Sequence, residues 1–172
     1  DAFLVRSLEF IGVPPHLMHF IRALYGSNAV KLLVAGGRHA GFAAIAGIRQ
    51  GCPLSPFIFA IVMTILMHGA KHDLTEHAAA GAVPSKLLVN ELLYADDTLI
   101  VDVDAAGAEQ FMHCIGRAGA KCGLSFNWRK LEILPVRCDA KIAKPDVSCI
   151  IEKERLVYLG SLLSSDGSAG SE

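Results

Sequence analysis

The sequence carries little charge, since 19% of its 172 residues are charged and the formal net charge is -1 at pH 7. It therefore lacks the basic excess with which nucleic-acid-binding proteins usually meet phosphates, and charge alone predicts no such partner. Hydrophobic residues make up 52% of the chain, which excludes disorder on compositional grounds. A chain of this length and composition can fold around a core of its own.

Metal-binding and disulfide spacings are also missing. No two cysteines form a C-x-x-C pair, and their number is odd. They are Cys52, Cys114, Cys122, Cys138 and Cys149. This pattern argues against a zinc site or a disulfide framework and favours reduced thiols in an intracellular protein. His68, His72 and His77 lie close in sequence, but without an H-E-x-x-H arrangement they do not predict zinc either.

No charged residue occurs between Gly51 and Ala70, so length alone would allow a membrane span. Pro53, Ser55 and Pro56 occupy the first turn, which shortens the apolar run below what a span needs. We predict a buried core helix there, with Ser55 as its N-cap, and no membrane association. No signal peptide is visible at the start, which is already amphipathic and charged.

Hydrophobic spacing and turn residues predict an irregular alternation of helices and strands. Helices are predicted over residues 4–11, 17–25, 56–71 and 105–122. Strands are predicted at 30–35 and 39–45 around a Gly36-Gly37 turn, within 87–102, and near 131–136, 148–152 and 156–163. Residues 72–86 are expected to form a loop, and the Ser/Gly-rich residues 164–172 a loose tail. This order favours an α+β fold with helices packed on one face of a sheet.

Two adjacent aspartates, Asp96 and Asp97, interrupt the apolar run from Glu91 to Val101. Neighbouring strand residues point to opposite faces, so a continuous buried strand would place one carboxylate in the core at a large cost. A tight hairpin turn instead lets both carboxylates project from the end of the sheet. Carboxylates on such a support are what magnesium-dependent phosphoryl transfer requires, although Asp-Asp is also common in ordinary surface turns.

Several segments resemble the reverse transcriptases of non-LTR (LINE-type) retrotransposons. In chain order they are the opening from Phe3 to Gly37, the motif B-like Gly47–Pro56, the Tyr-Ala-Asp-Asp of motif C at Tyr94–Asp97, the motif D-like Gly123–Lys130, and Tyr158–Gly160 with Asp166-Gly167. The likeness covers nearly the whole chain, and the motifs B and C are in the family's order. It implies the palm of an RNA-directed DNA polymerase, an antiparallel sheet with helices packed on one face.

The resemblance implies that Asp96 and Asp97 ligate the catalytic metals, two Mg²⁺ ions for which Mn²⁺ could substitute. The positions it implies for nucleotide and template binding are Arg49, Gln50, Gly51, Tyr94, Ala95 and Lys130. Gly51 has no side chain to block a close approach, and Lys130 would offer a positive charge to the leaving pyrophosphate. Arg49 and Lys130 could also be ordinary solvated surface charges.

One further carboxylate of the family has no counterpart in the sequence. Motif A supplies a metal-binding aspartate and the residue that screens the nucleotide sugar, but Asp1 falls too late for that role and fits a helix cap. Glu91 lies too far back along its strand to share the tip with Asp96. Asp102 and Asp104 are expected to cap the helix that follows them. No substitute ligand is therefore predicted.

The motif D-like segment also departs from the family, with Trp128, Arg129 and Leu131 where the family usually has Pro, Lys, and Thr or Ser. Trp128 is expected to pack against the core, although it could stack on a base.

We therefore expect a partial palm over residues 1–163, with part of the fingers and no thumb, taken from a longer protein. Its partners would be an RNA template, a DNA primer and deoxynucleoside triphosphates, and its setting nuclear or cytoplasmic. Because motif A and the thumb are missing, the isolated chain is expected to be inactive. The alternative is a retroelement relic, or a domesticated module that binds protein or RNA without catalysis. The sequence carries no signal for an oligomeric state.

Overall fold

The computed structural model describes residues 2–26, 29–34, 38–43, 47–48, 51–79 and 90–171 of the chain. Helices and short strands alternate along it, which confirms the predicted α+β class. The chain divides into two compact units, Asp1–Ile65 and Leu66–Glu172.

The first unit is built from two short helices, a hairpin and the start of a third helix. The elements are α1 (Ala2–Phe10), α2 (Pro15–Gly26), β1 (Ala29–Val34), β2 (Arg38–Ala43) and α3 (Ser55–Ala79), which continues into the second unit. Gly12, with a φ of 78°, and Pro14 separate α1 from α2, as the sequence predicts. β1 and β2 pair antiparallel, which confirms the hairpin, and its predicted turn at Gly36-Gly37 lies outside the described residues.

Apolar side chains from three helices form the core of this unit. Leu8 of α1, Ile21 and Tyr25 of α2, and Ile58 of α3 are buried together. Ile21 and Tyr25 lie four residues apart, so both point from the same face of α2. Burial of each such side chain contributes about 1.5–3 kcal/mol, which makes this cluster the main attachment of α1 and α2 to the start of α3.

α3 begins one residue earlier than predicted, since Ser55 is its first residue. The Ile58 N–H donates to the Leu54 carbonyl at 3.1 Å, so Leu54 already accepts a helical hydrogen bond. The Ser55 hydroxyl lies 2.9 Å from the buried Tyr25 hydroxyl. A buried contact between α2 and α3 thus occupies the group that the sequence assigned to the cap.

α3 also ends later than predicted, at Ala79, where the sequence predicted a loop from residue 72. The buried residues Leu66, Met67, Ala70 and Leu74 follow helical spacing, so the apolar face runs past Lys71 and keeps the chain helical. By length and composition Ser55–Glu76 could cross a membrane, a test that core helices of soluble proteins also pass. Of the most apolar 18-residue stretch of this helix, 28% is buried. The predicted core helix is therefore buried along one face only.

The strands of the second unit form small separate sheets. The elements after α3 are β3 (Asn90–Tyr94), β4 (Asp97–Val101), α4 (Ala105–Lys121), β5 (Glu132–Ile133), β6 (Ile151–Glu152), β7 (Arg155–Tyr158), β8 (Ser161–Ser164) and β9 (Ala169–Ser171). β3 pairs antiparallel with β4, β5 pairs parallel with β6, and β8 pairs antiparallel with both β7 and β9. Together with the β1–β2 hairpin, the described strands form three two-stranded sheets and one three-stranded sheet, and the palm-like sheet that the resemblance implied stays a prediction.

The strand predicted near 156–163 is in fact the β7–β8 hairpin. Leu159 and Gly160 separate the two strands and have φ values of 50° and 78°. Positive φ at both central residues is what a tight two-residue hairpin turn requires. The apolar run thus folds back on itself at the glycine.

α4 forms where the sequence predicts it. The Asp104 side chain caps its start by accepting a hydrogen bond from the Ala106 N–H at 3.3 Å. Gly123, with a φ of 75°, follows its end, where the Leu124 N–H donates to the Gly119 carbonyl at 2.9 Å. Its buried face includes Phe111, Met112, Cys114, Ile115 and Ala118.

The residues expected to form a loose tail are instead built into a sheet, because Ala169–Ser171 form β9 beside β8. The turn before β9 is closed by Asp166, whose carboxylate accepts hydrogen bonds from the Ser168 N–H at 2.8 Å and its hydroxyl at 2.6 Å. The Arg137 guanidinium donates to the Asp166 carbonyl at 2.8 Å and holds the turn from outside. Arg137 lies far from Asp166 in sequence, and β9 is ordered by its pairing with β8. The Ser/Gly-rich composition of the segment indicates neither contact.

We expect the buried Tyr25–Ser55 hydrogen bond to stabilise the first unit. Tyr25→Phe and Ser55→Ala should each lower the free energy of unfolding by about 1–2 kcal/mol, because each leaves a buried hydroxyl without this partner. The double variant should cost less than the sum of the two, since the shared contact is lost once. Urea unfolding followed by circular dichroism measures all three variants, and strictly additive costs would show that the hydroxyls do not interact.

The hydrogen bonds from the Ser168 side chain and backbone lower the pKa of Asp166. A carboxyl whose pKa falls on folding stabilises the folded state above its unfolded pKa of about 3.9, and this contribution is lost as the pH falls through the folded pKa. We expect Ser168→Ala to raise the Asp166 pKa toward the unfolded value, measured by carboxyl NMR titration. An identical titration in the parent and the variant would contradict this.

Candidate active site

The two adjacent aspartates lie at the tip of a tight hairpin, as predicted. Tyr94 pairs with Asp97 across the strands, which leaves Ala95 and Asp96 as a two-residue turn. Ala95 has a φ of 52°, the positive value that the first position of such a turn requires. Asp96 in the turn and Asp97 at the start of β4 are both exposed. The turn thus presents two carboxylates to solvent and buries neither.

The backbone at Ala95 is strained, because a positive φ is unfavourable for a residue with a side chain. The cost is on the order of 1 kcal/mol, and such strain tends to occur at functional sites. The neighbouring Tyr94 is 62% exposed, so its ring is free to meet a ligand beside the carboxylates.

The base of this acidic hairpin, residues 90–101, is held by an ion pair. Glu91 lies opposite Ile100, at the far end of the strands from the turn. Its side chain is only 14% exposed and pairs with the Lys71 ammonium of α3. The lysine therefore neutralises the charge of Glu91 at the base of the hairpin.

A second contact reaches the middle of β3. The Tyr158 hydroxyl at the end of β7 donates a hydrogen bond of 3.1 Å to the Leu92 carbonyl. Neither Tyr158 nor Lys71 was among the predicted site residues, because their relation to the hairpin depends on tertiary contacts between distant segments. The Tyr-Leu-Gly sequence at Tyr158–Gly160 resembles the family, but the sequence does not indicate what the tyrosine contacts.

Of the two acids predicted to cap the helix that follows the hairpin, Asp104 does so and Asp102 does not. The Asp104 carboxylate caps α4, and Asp102 accepts a hydrogen bond from the Asp104 N–H at 3.1 Å. With Glu91 also paired, no hydrogen bond or ion pair to another described residue engages the exposed carboxylates of Asp96 and Asp97. Both are oxygen donors of the kind that Mg²⁺ prefers, so the tip fits a magnesium site to which further ligands are added by substrate or by other residues.

Three potential metal-binding side chains of the described residues converge elsewhere, on α3. The ligand atoms of His72, Asp73 and Glu76 lie within 4.8 Å of one another. Glu76 lies 3.8 Å from the His72 ring nitrogen, and Asp73 lies 4.0 Å from the Arg117 guanidinium. Ordinary surface pairing between charged groups therefore accounts for this cluster.

The motif B-like segment is described in part. Gly51 has a φ of 79° and is exposed, and no described residue other than its chain neighbours lies within 4 Å of where its side chain would begin. The positive φ favours glycine at position 51, and the missing side chain also leaves room for an approaching ligand. Arg49 and Gln50 lie outside the described residues.

Lys130 lies at the end of an exposed turn, where its N–H donates to the Asn127 carbonyl at 2.9 Å. Among the described residues, no hydrogen bond or ion pair joins it to the acidic hairpin. Trp128 in the same turn packs edge-on against Phe126, with ring centroids 5.3 Å apart, beside the buried Met112. The structure thus agrees with the prediction that Trp128 packs against the core.

Comparison with known proteins now identifies the family. Residues 2–163 match the family model described as "Reverse transcriptase (RNA-dependent DNA polymerase)". The chain belongs to this reverse transcriptase family. The family resemblance seen in the sequence motifs is therefore confirmed.

Two relatives of this reverse transcriptase domain come from mobile elements. This chain is 24% identical over 168 residues to the "Transposon TX1 uncharacterized 149 kDa protein" of Xenopus laevis. The match covers 95% of this chain and 12% of that protein. The chain is 22% identical over 160 residues to the "Retrovirus-related Pol polyprotein from type-2 retrotransposable element R2DM" of Drosophila melanogaster, covering 93% of this chain and 14% of that protein. The chain thus spans less than a sixth of the length of either relative. No solved structure matches it significantly.

The motif B-like segment also carries a thiol with an altered acidity. The pKa of Cys52 is lowered, first by the Tyr25 hydroxyl 3.6 Å away and then by the Leu54 N–H, because these hydrogen bonds stabilise the thiolate. Burial raises the pKa of Cys114 and Cys122 on α4.

We expect Cys52 to react with iodoacetamide before Cys114 and Cys122, because the thiolate is the reactive form. Mass spectrometry of tryptic peptides after timed labelling at about pH 8 measures the order. Tyr25→Phe should slow the labelling of Cys52, since it removes the hydroxyl that stabilises the thiolate. Faster labelling of either α4 thiol would contradict the assignment.

Proposed function

We propose that this reverse transcriptase domain supplies part of the active site of an RNA-directed DNA polymerase. The parent protein would add deoxynucleotides to a DNA primer on an RNA template, in the nucleus or cytoplasm. The observation that carries the proposal is the acidic hairpin, in which a two-residue turn exposes Asp96 and Asp97 side by side in sequence at its tip. Membership of the family over residues 2–163 supports the same reaction.

In this reaction the primer 3′ hydroxyl attacks the α-phosphate of a deoxynucleoside triphosphate, and the bond to pyrophosphate breaks as the new phosphodiester forms. Two bound Mg²⁺ ions, or Mn²⁺ in their place, would neutralise charge on the phosphates. Asp96 would hold the ions, and Asp97 would support them as the second carboxylate. Their place at the tip of a tight hairpin suits this task if the hairpin is held in place, because catalytic ligands must keep their geometry during the reaction.

The residues around the carboxylates would position the substrates. Tyr94 and Ala95 lie beside Asp96 in the hairpin and would border the primer end and the incoming nucleotide. Gly51 would let the template or nucleotide approach the backbone closely, since it has no side chain and no described residue other than its chain neighbours lies within 4 Å of where a Cβ would be. Arg49 and Gln50 would contact the same substrates.

Lys130 would place its ammonium near the triphosphate and so favour the departure of pyrophosphate. Its exposure supports this role, because a charged side chain in solvent can turn toward a bound phosphate.

The chain by itself would not complete this site. We propose a palm-like arrangement over residues 1–163, in which a further aspartate of motif A would add to the two carboxylates of the acidic hairpin. A metal site formed by the carboxylates of Asp96 and Asp97 alone should not turn over, because it would lack the motif A aspartate. The reaction therefore belongs to the parent protein, and the isolated chain should be inactive.

We expect the full-length parent protein to extend a DNA primer on an RNA template in the presence of Mg²⁺. Asp96→Ala should lower the extension rate by on the order of a thousandfold, because a metal ligand contributes several kcal/mol to stabilising the transition state. Asp139→Ala is the matched control, since it removes the same charge from an exposed position outside the hairpin and should leave the rate unchanged. Gel-resolved primer extension measures the three proteins.

A well-folded parent that fails to extend primers with either Mg²⁺ or Mn²⁺ would be better explained as a non-catalytic retroelement relic. Equal losses in Asp96→Ala and Asp139→Ala would show that the acidic hairpin has no special role. The sequence upstream in the parent gene is an independent check, since an apolar strand bearing an aspartate is expected there if the enzyme is intact.

A further inference from the structure

We propose that Tyr158 is a positioning residue for the acidic hairpin, holding through its hydroxyl the strand that leads to Asp96 and Asp97. The proposal rests on the proposed function, because it assigns Tyr158 a part in the same polymerase reaction. It starts from the hydrogen bond of 3.1 Å that the Tyr158 hydroxyl donates to the Leu92 carbonyl, across 66 residues of sequence.

The acidic hairpin needs such a contact because it has little support of its own. Among the described residues its two strands pair only with each other, and an isolated two-stranded hairpin is marginally stable in water. Leu92 is 57% exposed and Leu93 is 42% exposed, so packing holds this stretch of β3 weakly. The ion pair of Glu91 with Lys71 fixes the base of the hairpin. The Tyr158 hydroxyl fixes the next residue toward the tip.

The hydroxyl comes from a better-supported element. Tyr158 ends β7, which belongs to the three-stranded sheet of β7, β8 and β9. The tight turn at Leu159 and Gly160 follows it directly. At the other end of the sheet, Arg137 donates from its backbone to the Ser165 carbonyl and from its side chain to the Asp166 carbonyl. The tyrosine therefore links the two-stranded acidic hairpin to a three-stranded sheet that is held by more hydrogen bonds.

Loss of the Tyr158 hydroxyl should shift the positions of the Asp96 and Asp97 carboxylates, while both side chains remain present. Phenylalanine keeps the ring but removes the hydrogen bond from Tyr158 to the Leu92 carbonyl. Catalytic groups must be held to within about 0.5 Å, and a misplacement of about 1 Å can cost roughly a hundredfold in rate. Because the hydroxyl bonds to protein backbone, its effect should fall on turnover and metal dependence, and primer–template binding should be spared.

The test uses the full-length parent protein and compares Tyr158→Phe with the unsubstituted protein in primer extension. We expect kcat to fall about tenfold and the Mg²⁺ concentration for half-maximal rate to rise severalfold. The Kd for primer–template and the Tm should stay the same. Replacement of Tyr158 by 4-aminophenylalanine, which keeps a donor at the same ring position, should restore most of the rate.

Val157→Thr is the matched control, because Val157 is the preceding residue of β7 and its exposed side chain points to the opposite face. It should leave kcat and the Mg²⁺ dependence unchanged. An active parent whose rate is unaffected by Tyr158→Phe would overturn the role of Tyr158 and leave the proposed function standing. So would equal losses in both variants, or a loss explained by a lower Tm or weaker primer–template binding. An inactive but folded parent would overturn both proposals.

Discussion

The positive φ of Ala95 is the constraint on which the acidic hairpin depends. It allows the chain to reverse within two residues, so that Tyr94 and Asp97 still face each other across the strands. A longer loop would leave the carboxylates on a connection without strand pairing, and a continuous strand would turn one of them inward. The strain at Ala95 is thereby offset by the pairing on both sides of it, and the result is two carboxylates at a defined place on the surface.

The other acids near the hairpin each have a structural partner, which separates them from the proposed metal ligands. Glu91 is neutralised by Lys71, Asp104 caps α4, and Asp102 accepts from the backbone of Asp104. The carboxylates of Glu91 and Asp104, already satisfied by a cation or by an N–H group, have less to offer to a metal ion. Asp102 differs, because its Oδ2 is buried without a hydrogen-bond partner among the described residues. Asp96 and Asp97 are therefore distinguished by their exposure and also by the fact that nearby acids such as Glu91 and Asp104 have structural roles.

Low overall charge is compatible with membership of a polymerase family when the chemistry is concentrated in a few places. The net charge of -1 includes an acidic tip that would itself repel phosphates. A site of this kind depends on divalent cations to bring carboxylates and phosphates together. The absence of a basic excess is therefore compatible with the proposed function, in which divalent cations would bring carboxylates and phosphates together.

Short-range signals predicted the features that are decided locally. The tight turn at the two aspartates, the Asp104 cap and the stop at Gly123 all depend on residues within a few positions of one another, and all are found. Local signals were wrong at the start of α3, where the Ser55 hydroxyl bonds to Tyr25, thirty residues earlier in the chain. They also missed the pairing of β9 with β8, because a Ser/Gly-rich segment gains its order only from the strand beside it.

The sequence by itself determined the family and the acidic hairpin, since motif order and a turn between apolar runs are properties of neighbouring residues. Only the tertiary structure decided what holds that hairpin. Lys71 and Tyr158 reach it from distant segments, and nothing in the residues around either one indicates its partner. The physical reason is that an ion pair or a hydrogen bond requires a few ångströms of separation, and chain folding brings these groups together independently of their separation in sequence.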